Sequence, residues 1–445
     1  MLALASAAGL SSLVAGMPTA HAQSITTNTM LPDDRSMPVT PQPGQVFIRL
    51  GGHINFYAAD FAFSGDKGTA GKTANYGFSE YVHLNPSVDG VAANGLKYGA
   101  FVDIWQEKPG NAAVSGQSVG GGAGGGISSS DRYFGTMYVR RQYTYIGSDS
   151  FGTLRLGVQD PVSSLYETGT FENFNDGGWN GDIGNLVGGN SQPTWPFGFV
   201  GNLYTPTKIT YLSPQINGFE AGVTFEPSTA EGGYFANSSV PSSGSANLSS
   251  SNVAGDLARR RDMIDVHARY RGTFGPVGVA IEGGWMGSDH VNPDGITGTY
   301  INYKGFNQAL GGATVTYSGF TFGGHFMAGD FNGQWGLNPA HAPISVAYSV
   351  GATYTTGPII AGVQAFHYNS TGNSYQGNAS VGQMTENGLS VGATYSLAPG
   401  LSVFLDYLYG TRKENGYDLL NSVAGSRNNN YVQSQLIGVG TQLRW

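Results

Sequence analysis

Phe151–Asp160 reads FGTLRLGVQD. In an extended chain Leu154, Leu156 and Val158 point one way and Thr153, Arg155, Gly157 and Gln159 the other, an apolar period of two rather than 3.6. The same pattern recurs in both directions along the chain. Upstream, Ile48, Leu50, Ile54 and Phe56 oppose Arg49, Gly51, His53 and Asn55. Downstream, Ile264, Val266, Ala268 and Tyr270 oppose Asp265, His267, Arg269 and Arg271, and Leu389, Val391, Ala393 and Tyr395 oppose Ser390, Gly392, Thr394 and Ser396. One apolar and one polar face per strand suits a sandwich with a wet outside or a barrel with a wet inside. Three features favour the barrel. The strands run to about 10 to 14 residues, long for a sandwich but right for a tilted bilayer crossing. Aromatics (Tyr143 and Tyr145, Tyr407 and Tyr409, Trp285) cluster at the ends of apolar faces, as interfacial girdles require. Short turns alternate with long polar loops.

The pattern predicts an all-β protein, a transmembrane antiparallel β-barrel of 16 strands with long external loops, one of them folded into the pore. The expected strands cover 46–60, 77–89, 94–107, 133–147, 151–159, 206–214, 217–226, 262–273, 277–287, 306–318, 319–329, 345–356, 358–368, 387–397, 401–412 and 432–445. An even count puts both ends of the barrel domain, 46–445, on the periplasmic side. Eighteen strands would need a hairpin hidden in a loop such as 227–261, which is rich in Ser, Asn and Gly and does not alternate.

Composition agrees with the pattern. Of 445 residues only 11% are charged, too few for an ordinary hydrated surface, whereas 70 are glycine and 12% aromatic. The 40% hydrophobic content argues against disorder. Zero cysteines exclude disulfide scaffolds, thiolate metal sites and thiol nucleophiles, and a net charge of -8 argues against nucleic acid as a partner.

At the amino end, Leu2 to Met17 is an apolar run of small residues, followed by Pro18 and then Ala20-His21-Ala22 before Gln23. This fits a signal peptide at 1–22, although no basic residue precedes the apolar run, so an upstream start codon or a clipped sequence is expected. Residues 23–45 read as a Pro/Ser/Thr-rich periplasmic lead-in.

Four segments, in order, resemble the general diffusion porins of Gram-negative outer membranes, over about 45–445. RRQYTYIGSDSFGTLRLGVQDP, beginning at Arg140, is similar to the family's hairpin before the constriction loop, with Ile146-Gly147 and Phe151-Gly152-Thr153 at its short turn. TKITYLSPQINGFEAGVTF, from Thr207, resembles the strand pair after that loop, matching at Tyr211, Ser213, Pro214 and Gly218-Phe219. LSVGATYSLAPGLSVFLDYLYGTRKEN, from Leu389, is similar to a late hairpin. LIGVGTQLRW, from Leu436, resembles the terminal insertion signal, with Trp445 and Leu443 in the assembly role. The chain departs from the family in its longer lead-in, in Gln142 where many members carry arginine, and in Val158 where arginine is common.

The resemblance implies an integral outer-membrane protein, a homotrimer among outer-membrane lipids and lipopolysaccharide. Its channel would be water-filled, for passive diffusion of small hydrophilic solutes and ions, with no cofactor and no metal. It also implies that the loop at about 160–205 folds into the lumen. That loop holds Phe171, Phe174, Trp179, Trp195, Phe197 and Phe199 to pack on the wall, and Glu167, Glu172, Asp176 and Asp182 as constriction carboxylates. Alternation aims Arg49, Arg155, Lys208, Arg269 and Arg271 at the lumen; of Arg140 and Arg141 only one can face inward, and it is Arg140 if Tyr143 and Tyr145 face lipid. Opposed charges across such a neck would create a transverse field. Wall salt bridges to Asp103, Asp265 or Glu282 are the competing use of these arginines. The alternative is a channel selective for sugars or organic acids, with Phe101, Trp105 and Phe404 as a stacking track.

Other motifs lack their context. GQSVG at 116–120 and the G-x-G-x-x-G of Gly120, Gly122 and Gly125 lie in a glycine tract without a strand-to-helix turn. GDKGTAGKT at 65–73 misses the phosphate-loop spacing. The eight histidines show no metal-binding spacing, and Asp176, Asn180 and Asp182 fail the EF-hand spacing for calcium. Arg259-Arg260-Arg261 reads as a solvated loop base. No outward face pairs Ser with a nearby His, so no enzyme is expected.

Overall fold

The structure, a computed structural model, describes residues 41–65, 67–68, 71–72, 74–107, 136–187, 190–197, 206–228, 260–290, 303–333, 336–373 and 381–445. The signal peptide, most of the lead-in, the glycine tract at 116–125, Phe199 and Arg259 lie outside these residues.

Sixteen long strands run in chain order: β1 (Gln45–Phe63), β2 (Tyr76–Val91), β3 (Lys97–Glu107), β4 (Thr136–Ser148), β5 (Gly152–Val158), β6 (Thr207–Leu212), β7 (Phe219–Ser228) and β8 (Arg260–Phe274). The second half gives β9 (Val277–His290), β10 (Asn307–Tyr317), β11 (Phe320–Asp330), β12 (Ser345–Thr356), β13 (Ile359–Ser370), β14 (Met384–Ala398), β15 (Leu401–Glu414) and β16 (Tyr431–Arg444). Each pairs antiparallel with its neighbours, and β1 pairs with both β2 and β16, closing the barrel. Closure removes the sheet edges, the condition for a sheet to span lipid. No described helix is long and apolar enough to cross a membrane.

The outer face carries the apolar half of every repeat: Ile48, Leu50, Ile54, Leu156, Ile264, Val266, Ile437 and Val439 are all exposed. An apolar face turned out of a closed wall belongs against hydrocarbon. Tight turns close one end of the barrel; Ser318 (φ 49°) and Gly319 (φ 85°) join β10 to β11 in two residues, both left-handed, which matches the strand twist. The longer connections join the strands at the other end.

The girdle assignment of Tyr143 and Tyr145 does not hold. Tyr143 is buried against Phe101 inside the barrel, and the Tyr145 hydroxyl bonds Asp89 on the inner wall. The reason is a β-bulge: Arg141 pairs with Asp103 and Val139 with Ile104, so Arg140 is an extra residue inserted between the two pairs. The bulge resets the alternation, and Arg140 (4% exposed) and Arg141 (0%) both end inside, where strict alternation allowed one. Trp285 and Tyr407 do face outward.

Candidate pore constriction

The third long loop, L3, follows β5 and turns inward. Its root is fixed by charge: Arg141, fully buried, donates from Nη1 to Asp103 Oδ2 (3.0 Å) on β3 and from Nη2 to Asp160 Oδ1 (3.1 Å) at the start of the loop. A short helix, α1 (Val162–Tyr166), then crosses the inner wall, with Val162 N donating to Thr224 Oγ1 (2.9 Å) on β7 and Ser163 N to Asp265 Oδ2 (2.8 Å) on β8. From there L3 follows the wall. Thr168 O meets His325 Nδ1 (3.0 Å) on β11, Gln364 of β13 donates to Thr170 O and Phe171 O, Asn175 donates to Ser390 Oγ (3.1 Å) on β14, and Trp179 Nε1 donates to Tyr409 O (3.2 Å) on β15. Two 3-10 turns (Gly178–Asn180 and Asp182–Leu186) carry it to β16 and β1. Arg412 Nη1 to Asn190 O (2.9 Å) and Ser434 Oγ to Ser191 O (3.0 Å) tie its far end. Phe171, Phe174, Trp179, Trp195 and Phe197 are all buried.

This course decides where the loop's carboxylates sit. Glu172 is buried and accepts from Asn180 Nδ2 (2.5 Å) and Trp195 Nε1 (3.2 Å); burial pushes its pKa up to about 7 against those two bonds. Asp176 accepts from the Tyr57 hydroxyl (2.8 Å) and Ile183 N (3.0 Å), while its own N donates to Asp406 Oδ2 (3.3 Å). Burial first, then the charges of Asp182 and Asp406, raise it well above the carboxylate range. Glu167 is raised too, by burial and then by Glu172 and Glu282. Asp182 is half-buried and accepts from Asn185. Asn180 turns to Glu172 rather than toward Asp176 and Asp182, so the three do not converge on an ion site; among the described residues no group of three His, Cys, Asp or Glu is placed to hold a metal.

The basic side chains lie on β1, β4, β5, β6 and β8. Arg49 pairs with Asp89, Lys208 with Glu226 (3.4 Å), and Arg269 and Arg271 both with Glu220 Oε1 (2.8 and 2.9 Å). Arg155 lies 5.1 Å over the Tyr143 ring and Arg140 3.7 Å over the Trp105 ring. Arg260 is buried beside Glu226 (3.8 Å) rather than standing in a solvated loop base. Asp103 takes an arginine, but Asp265 and Glu282 pair with His267 and His325: His267 Nε2 lies 3.1 Å from Asp265, and Glu282 lies 3.3 Å from His267 and 3.2 Å from His325. Sequence reasoning missed Arg141, Asp160, Asp89, Glu220 and Glu226. The last two were within reach, since the alternation of FEAGVTFEP turns them inward just as it turns Arg155.

Three aromatics expected in the lumen do face it, in company. His83 stacks on Trp105 (centroids 3.7 Å, 19° between planes), so both faces of that indole are covered, by His83 and by Arg140. Phe404 lies against Tyr57 (5.6 Å) and Phe101 against Tyr143 (5.5 Å). At the tight-turn end Trp445 exchanges backbone bonds with Gly52 (3.0 and 3.2 Å), and Leu443 faces outward opposite Ile54.

A sequence model of the family described as Gram-negative porin matches residues 3–415. No curated protein sequence matches the chain. Among solved structures, the outer membrane channel DcaP of Acinetobacter baumannii superposes with a TM-score of 0.51 at 11% identity, covering 92% of this chain and 100% of that one. An anion-selective porin from Comamonas acidovorans gives 0.50 at 13%, covering 90% and 100%. The in-vitro folded OmpT of Vibrio cholerae in its trimer form gives 0.50 at 12%, covering 90% and 99%. At these identities the likeness is one of fold.

Proposed function

The chain belongs to the Gram-negative porin family, and from that premise we propose that L3 is the constriction of its channel and that the inward arginines set which ions and small hydrophilic solutes pass. The protein is a β-barrel of the Gram-negative outer membrane and a passive-diffusion channel. The observation that carries the constriction is the course of L3, which hydrogen-bonds to the inner wall from β7 to β16 instead of leaving the barrel mouth. With Glu172 and Asp176 turned into L3 and wall contacts, the inward arginines carry more weight in the field than the loop does. Sugar stacking finds little support, because both faces of Trp105 are covered. Diffusion makes and breaks no covalent bond, and the reading assigns no catalytic residue.

The rest of the reading follows the family. Residues 1–22 serve as the export leader and 23–45 as the lead-in, so the amino end of the protein purified from outer membranes should be Gln23. Lipid and lipopolysaccharide cover the outer face, Trp445 and Leu443 serve assembly, and three copies associate.

Arg155 tests the pore assignment. It lies half-buried on the inner wall, between the outward Leu154 and Leu156. Arg155→Glu changes the charge beside L3 by two units, so the reversal potential under a KCl gradient should move toward cation preference, more at low salt than at high. Lys97→Glu, at the tight-turn rim where Lys97 pairs with Asp149, should move it much less. Unchanged selectivity in an Arg155→Glu channel that still inserts and conducts would remove Arg155 from the constriction.

A further inference from the structure

Glycine inside a strand gives up side-chain packing and backbone entropy, and it often marks a place where another group approaches the sheet closely. On the strands that L3 follows, inward glycines sit under the loop. Thr168 O lies over Gly312 on β10, the Phe171 ring over Gly351 on β12, the Phe174 ring over Gly362 on β13, and the Trp179 indole over both Gly388 on β14 and Gly410 on β15. Ile183 Cδ1 lies over Gly438 on β16. An added Cβ would stand 2.6 Å from Phe171 at Gly351, 2.6 Å from Phe174 at Gly362 and 2.5 Å from Ile183 at Gly438, and at Gly388 2.6 Å from Trp179 with Phe366 of the wall nearer still at 2.1 Å, all closer than Cβ atoms approach other groups. The positions connect through the ladder: Gly351 pairs with Gln364, two residues from Gly362, Gly388 pairs with Gly410, and Gly438 pairs with Asp406 on the strand between. On β11 the loop supplies the glycine instead, Gly169 (φ 89°) abutting the backbone of Gly324.

We propose that these glycines are a seating track for L3: positioning residues that set how far the loop stands off the wall, and so the width of the water path. The wall is a closed hydrogen-bonded sheet and cannot retreat. The rings over it are rigid and buried, Phe174 being only 1% exposed. A methyl group added under Phe174 therefore has one outlet, displacement of L3 into the lumen. The proposal rests on L3 being the constriction, so its test needs one readout that depends on conduction and one that does not.

The variants are Gly362→Ala, Gly362→Ala with Phe174→Ala, and, as control, Gly283→Ala on the outer face, where the nearest atom to an added Cβ is Leu310 O at 3.8 Å. Unit conductance is measured in planar bilayers, and chymotryptic cleavage within L3 is measured on the folded protein in detergent. Gly362→Ala should change the conductance by at least about twofold and expose L3 to cleavage, while Gly283→Ala matches the parent in both. The double variant removes the clash, so it should regain protection of L3 and bring the conductance back toward the parent value. If Gly362→Ala fails to fold, the double variant must restore folding. Parental conductance and protection in folded Gly362→Ala, or no rescue by Phe174→Ala, overturns the proposal. Altered cleavage with unaltered conductance keeps the track and removes L3 from the constriction.

Discussion

Glu172 is a carboxyl that burial holds near pH 7 inside the loop that narrows the barrel. Its value lies above that of an unfolded glutamate, so the folded protein binds the proton more tightly between about pH 4.5 and 7. The stability this proton lends is complete below that window and is lost as pH rises through 7. The electrical consequence has the same midpoint: above it L3 gains one negative charge. Reversal potential under a KCl gradient, taken from pH 5 to pH 9, should drift toward cation preference with an inflection near 7. Glu172→Gln, which keeps the shape and an acceptor for one of its two donors, Asn180 and Trp195, should flatten that inflection. A parental profile in Glu172→Gln would assign the titration elsewhere.

At the scale of the strand, the bulge in β4 reverses the sign of a substitution. Strict alternation turns Arg141 to lipid, where a cation costs about 2 to 4 kcal/mol at mid-bilayer, and Arg141→Leu would then stabilise. In the bulged strand Arg141 is locked between Asp103 and Asp160, and Arg141→Leu takes the guanidinium away from two buried carboxylates, a loss of about 3 to 5 kcal/mol. Arg140→Leu gives up a cation over an indole, about 0.5 to 2 kcal/mol. The temperature at which the folded gel band disappears should therefore fall sharply for Arg141→Leu and slightly for Arg140→Leu; a rise for Arg141→Leu would deny the bulge. This strand also shows what the sequence could tell. All sixteen strands were legible, because lipid on one side and water on the other force the period of two. The bulge was not, because one extra residue leaves both flanks alternating and only the partner strand reveals it. L3 was legible as a location through its length and its family resemblance. The partners of its carboxylates were not: Asp176 meets Tyr57 and Asp406, 119 and 230 residues away, and no local pattern encodes such pairs.

For the whole molecule, the outer wall is not uniform. Through the middle of β5 to β15 its outward positions are apolar, glycine or tyrosine among the described residues, as with Val223, Ile281, Phe322, Val350, Val363 and Leu405. On β16, β2 and β4 polar side chains interrupt that face: Gln142 and Thr144 stand exposed in the middle of β4, and Thr441 and Glu80 are exposed on either side of Phe56 of β1. A charged or amide side chain held against acyl chains is costly, whereas a protein neighbour can supply it with hydrogen-bond partners. The sector running from β16 through β1 to β4 is therefore the face expected to meet the other subunits of the proposed trimer, and β5 to β15 the face expected to be left to lipid. The absence of native cysteine makes the test clean. A fluorophore attached to Gln142→Cys should be shielded from a lipid-borne quencher in the native oligomer, and one attached to Val350→Cys on β12 should be quenched. After dissociation to folded monomers the two should become alike. Strong quenching of the Gln142→Cys label in the intact oligomer would move the subunit contact to another part of the wall.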